Sequence, residues 1–153
     1  MGSIRRVHVL YALGYLGIAV LTQTTVKWYQ YFYTPPDTNG FGLAALIPIG
    51  WIGFAMVFAR VVDGIADPLV AYWSDKSKHR LGRRVPFILY GAVPLAATFV
   101  LLWFPPINGE SIWNFVYLTV MLSLFFALFT VVAGPYLALI GELSRTNEER
   151  NRL

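Results

Sequence analysis

The sequence predicts an all-α membrane protein of four transmembrane helices. Three observations predict it. Of the 153 residues, 57% are hydrophobic and 13% charged, against about 25% charged in soluble domains. Four apolar stretches are each long enough to cross a bilayer core, which takes about 20 helical residues at about 1.5 Å rise each. The breaks between them carry turn residues, and the basic charge gathers on alternate breaks. The mean hydropathy of +0.57 agrees.

The first stretch runs from about Val9 to Tyr33, and the break TPPDTNGFG at 34–42 ends it. Arg5 and Arg6 ahead of it resemble the start of a signal peptide, but the stretch is long and no clean small-x-small site follows, so it is expected to be a retained helix. The second runs from about 45 to 73 and stops at SDKSKHRLGRR, residues 74–84. The third runs from about 87 to 104 and stops at PPINGES, residues 105–111. The fourth runs from about 112 to 140. None of the four alternates polar and apolar residues, so a β-barrel is disfavoured.

Lysine and arginine set the expected direction. Arg5 and Arg6 precede the first span, Lys76, Lys78, Arg80, Arg83 and Arg84 follow the second, and Arg145, Arg150 and Arg152 follow the fourth. The first and third connections carry none. Positive residues stay inside, so both termini and the 74–86 loop are expected on the cytoplasmic side. This placement accounts for the pI of about 9.5, which in a soluble chain would suggest a nucleic-acid partner; none is expected here, and lipid is. The chain has no cysteine, so disulfides, thiolate metal sites and a cysteine nucleophile are unavailable. His8 and His79 stand alone in basic settings, and no phosphate-binding glycine loop or nucleophile motif is present. Neither an enzyme nor a resident metal or cofactor is expected. The aromatic residues near the predicted outer span ends, Tyr29, Tyr31, Phe32, Tyr33, Trp103 and Trp113, read as an interfacial belt.

The second span contains charge where no water would solvate it. Asp63 and Asp67 are four apart and share a helix face. Asp63 lies twelve residues above Asp75, about 18 Å along a helix, close to the middle of a core about 30 Å thick. A carboxylate there costs at least about 2.5 kcal/mol. Arg60, three residues earlier, can pair with it; a proton can neutralise one carboxylate; or a bound monovalent cation can neutralise the pair. Pro68 has no N–H, so the Gly64 carbonyl loses its helical partner and becomes a further candidate oxygen. A purely structural Arg60 salt bridge is the alternative. Thr22, Gln23, Lys27 and Thr130 are the polar groups able to line a substrate path, against the alternatives that the first two bond backbone or neighbouring helices and that Lys27 snorkels to the outer interface.

The loop AYWSDKSKHRLGRRVPF, residues 71–87, resembles the signature loop of the major facilitator superfamily, with Asp75, Lys76, Gly82, Arg83 and Arg84 in comparable places, a longer spacer, and Ala71 at the usual first glycine. With the run from Arg60 to Pro68, and with GPYLALIGELSRTNEERNRL at 134–153, it is similar to the glycoside–pentoside–hexuronide:cation symporter family. That resemblance implies several things. Asp63 and Asp67 would bind the coupling cation, Na⁺ or H⁺. The inner loop would act as a latch, with Glu142 facing Arg83 or Arg84. The substrate would be a sugar or related small solute, though some members of the family move lysolipids. The family's Asn between the two carboxylates is Ala66 here, and its two sugar-binding Asp positions fall near Ala19 and Ala133. A methyl group cannot accept sugar hydroxyls, so galactoside recognition of that kind is not expected. Residues 1–153 would form the N-terminal transmembrane portion of a carrier of about twelve spans. The remaining helices, or other subunits, would complete the path. The alternative is a non-transporting four-helix interaction or assembly subunit, or an inactive fragment.

Overall fold

The computed structural model describes residues 2–36 and 44–139, with side chains placed from Val9 onward. Four helices follow one another: α1 (Gly2–Tyr33), α2 (Ile49–Lys76), α3 (Val85–Leu101) and α4 (Ile112–Ala138). Three of them, Val9–Tyr33, α2 and α4, are long and apolar enough to cross a membrane. The third is displaced from the expected 87–104, starting at Val85 and ending at Leu101. Its 17 residues give about 25 Å of helix. Leu102, Trp103 and Phe104 form a closing turn instead, with their N–H groups on the carbonyls of Thr98, Val100 and Leu101. Pro105 drives the residue before it out of the helical region, which fixes the stop. The second helix starts at Ile49 rather than near 45, because Pro48 sits at its N-cap. The backbone of Leu46 is then free to bond Tyr33 and Ser111 instead.

α4 is the centre of the bundle. It packs mainly against α2 and α3, and it is apolar on every side, including the stripe of Trp113, Val116, Val120 and Leu124 that stays exposed. Against α2 it meets a stripe that repeats every three or four residues: Ile52, Ala55, Ala59, Asp63, Asp67, Val70 and Ser74. Ala55 and Ala59 are fully buried, and such small side chains let two helix backbones approach. Against α3 the close approach is at Gly91, where an added Cβ would lie 2.8 Å from a Val132 methyl. α1 joins through aromatic residues. Tyr11 stacks on Tyr136 of α4 at 4.7 Å, Phe32 meets Trp103 edge-on at 5.3 Å, and the buried Tyr33 hydroxyl donates to the Leu102 carbonyl at 2.7 Å.

The two ends of the bundle differ. At the basic end lie the 77–84 loop and the contact between the start of α1 and the end of α4. At the distal end, Asn114 of α4 is wholly buried. Its amide nitrogen donates towards the carbonyls of Leu46, Ile107 and Gly109 at 3.2, 2.9 and 2.9 Å. Its amide oxygen accepts from the Ile107 N–H at 3.2 Å. One side chain thereby ties both distal connections to the top of α4.

Candidate cation site

Asp63 and Asp67 project from the α2 stripe towards α4, and Thr130 meets them there. Its hydroxyl lies 2.8 Å from Asp63 Oδ1 and 3.0 Å from Asp67 Oδ1. Thr130 is buried, while the Asp63 side chain keeps 18% of its exposure. A threonine carries one hydroxyl proton. It can donate to one carboxylate at a time, so with both ionised the second oxygen faces lone pairs only. A shared proton or a cation relieves that conflict. The three oxygens form a hard, oxygen-only cluster of the kind that suits H⁺ or a small monovalent cation.

Arg60 frames the site from above. Its Nη1 reaches Asp63 Oδ2 at 3.3 Å, and its guanidinium lies over the Phe126 ring at 4.2 Å from the centroid. The arginine side chain is 48% exposed, so this pair is a weak clamp. It engages one oxygen of Asp63 and leaves Oδ1 to Thr130. The Phe126 face gives the cation a second resting place. Gly64 lies on the exposed side of α2.

The remaining sequence-predicted residues fall elsewhere. Thr22 and Gln23 line a cavity of about 200 Å³ between α1 and α4, together with Ala19, Phe129, Ala133 and Tyr136. The Thr22 hydroxyl is used on its own helix, donating to the Ile18 carbonyl at 3.0 Å. Thr130, expected on the substrate path, lies instead between the carboxylates, on the other side of α4. Lys27 is exposed on α1. In the basic loop, Arg84 Nη2 approaches Asp75 Oδ1 at 3.7 Å. Gly82 adopts φ +97, a left-handed conformation that glycine alone enters cheaply, and its N–H closes a turn on His79 at 3.0 Å. Arg83 is exposed at the surface of this loop, and Glu142 lies outside the described residues. Sequence reasoning missed Phe126 as a partner of Arg60 and Asn114 as the distal clamp. The four-residue step from Phe126 to Thr130 would have flagged the first; a lone asparagine among apolar residues was the only signal for the second.

The family model described as MFS/sugar transport protein matches residues 10–153. The chain belongs to that family. It is 30% identical over 148 residues to the uncharacterized symporter sll1374 of Synechocystis, covering 94% of this chain and 26% of that protein. It is 31% identical over 146 residues to the inner membrane symporter YicJ of Escherichia coli, covering 94% and 29%. It is 32% identical over 143 residues to YagG of the same species, whose name proposes a glycoside/cation symporter, again covering 94% and 29%. No solved structure matches. The chain thus spans 26 to 29% of the length of these relatives. These relatives are named as symporters, and three of the described helices of this chain are long and apolar enough to cross a membrane, as in an integral multi-pass membrane protein.

Proposed function

We propose that this chain supplies the N-terminal, cation-coordinating portion of a symporter in the cell's inner membrane, which couples Na⁺ or H⁺ to the movement of a sugar or related solute. The convergence of Asp63, Asp67 and Thr130 on one point carries the proposal. The cation would neutralise the two carboxylates, release Thr130 from its divided bond and stabilise the solute-binding state. Arg60, held between Asp63 and Phe126, would let go of Asp63 and keep its place over the aromatic face when the cation takes over the carboxylate. The names of these three relatives, each a symporter and one proposing glycoside and cation, support the same assignment.

The test is cation-driven uptake in the full-length protein. Asp63→Asn and Asp67→Asn are expected to abolish the dependence of uptake on the Na⁺ or H⁺ gradient while leaving the protein in the membrane. Unchanged cation dependence in both variants overturns the proposal.

A further inference from the structure

We propose that a polar lane, separate from the α1–α4 cavity, connects Asp67 to the membrane face that carries the 77–84 loop, and that the Asp75–Arg84 pair closes its mouth. The inference rests on the symport reading, because it gives the coupling cation its own way in or out. A groove of about 150 Å³ runs between α2 and α4, open along the side where Asp67, Ala71 and Gly134 are exposed. Asp67 and Thr130 line it at one limit, Asp75, Arg84 and Ser74 at the other, and Val70 and Ala71 between them. The eight residues from Asp67 to Asp75 span about 12 Å of helix. The groove exists because its walls are small: Ala71 on α2, and Gly134 and Ala138 on α4.

α4 is the partition. Thr130 and Gly134 face this lane, while their neighbours Phe129 and Ala133 face the α1–α4 cavity, and among the described residues none lines both. A cation can therefore reach Asp67 from the basic end without crossing the space in which Thr22 and Gln23 stand. The chemistry of the lane fits a cation. It has a carboxylate at each end and a buried hydroxyl next to the outer one, Ser74, whose proton is given to the Ala71 carbonyl at 3.1 Å, so that its lone pairs remain. Arg84 is the opposing charge. Its side chain is 17% exposed against 64% for Asp75, so the guanidinium sits inward of its partner and puts a positive barrier at the mouth. A pair of this length and exposure is weak and can open.

The test uses the absence of cysteine from these residues. Ser74→Cys is nearly isosteric, and Val70→Cys, also buried on the lane wall, is a second reporter. Each is made in the full-length protein, in sealed vesicles of both orientations. Each is treated with a trimethylammonium or a sulfonate methanethiosulfonate, and Lys78→Cys marks the sidedness of the loop. The expected result is modification from the loop side only, about tenfold faster with the cationic reagent. Adding Arg84→Gln should speed it several-fold, and Ala71→Leu should block it. Gln23→Cys in the α1–α4 cavity should respond to neither change. Lack of reaction at both reporters, equal rates with the two reagents, or indifference to Arg84→Gln overturns the lane. Labelling requires no solute movement, so this failure is distinct from failure of symport, which the Asp63 and Asp67 variants read by uptake.

Discussion

At the distal end, every polar atom of the Asn114 side chain is bonded within the fold; halfway down, two carboxylates divide a single threonine hydroxyl. Both arrangements bring polar groups into an apolar bundle, and both are anchored on α4. At the distal end every group of the amide is used: its two N–H hydrogens are shared among three backbone carbonyls, and its oxygen accepts an N–H, all between neutral groups. Around Thr130 one hydroxyl hydrogen faces two carboxylates whose charge it does not offset, and the nearest positive charge, on Arg60, is divided between Asp63 and Phe126. A neutral, fully bonded polar network rigidifies, whereas one with uncompensated negative charge stays ready to take up what it lacks. The first fixes the bundle, and the second gives it something to bind.

Substitutions at the two places should therefore fail in different ways. The largest effect is expected at Asn114. Asn114→Ala strands buried carbonyls and an N–H together, and should cost about 3 kcal/mol of stability, read as a lowered Tm in detergent. Cation affinity in the surviving folded fraction should be unchanged. If cation affinity falls in step with Tm, the two regions are not independent. Thr130→Val should do the reverse: weaken cation binding about tenfold, about 1.4 kcal/mol, with little change in Tm, while Thr130→Ser restores binding. A valine variant that binds cation normally would remove the hydroxyl from the site. The smallest effect is expected in the basic loop. Gly82→Ala meets no neighbouring atom, so only the positive φ opposes it, at about 1 kcal/mol, and neither Tm nor cation affinity should move far. A large loss of either would show that the loop does more than turn the chain.

Much of this was legible beforehand. The four helices followed from apolar length and from the turn residues between them, and the carboxylate pair followed from spacing alone. The first helix ends at Tyr33 as predicted but starts at Gly2, ahead of Val9. The ends of the second and third helices also differ from those predicted. They depend on what Leu46 and Phe104 do with their backbone groups, and those partners lie on other segments of the chain. Thr130 shows the same limit. Its polarity was visible, but its position was not, because the face of α4 it occupies is set by how α2 docks. Ala55 and Ala59 set that docking through their smallness, a property that hydropathy does not weigh.

The Asn114 clamp has a consequence for how the protein is made. Every group that this side chain ties, at Leu46, Ile107 and Gly109, precedes it in the chain. The first three helices leave the ribosome before the residue that fastens their distal connections has been synthesised. During that interval the insertion machinery, rather than the protein, must hold them together. A nascent chain stalled before residue 114 should be open to quality-control proteases, and one stalled beyond α4 should resist them.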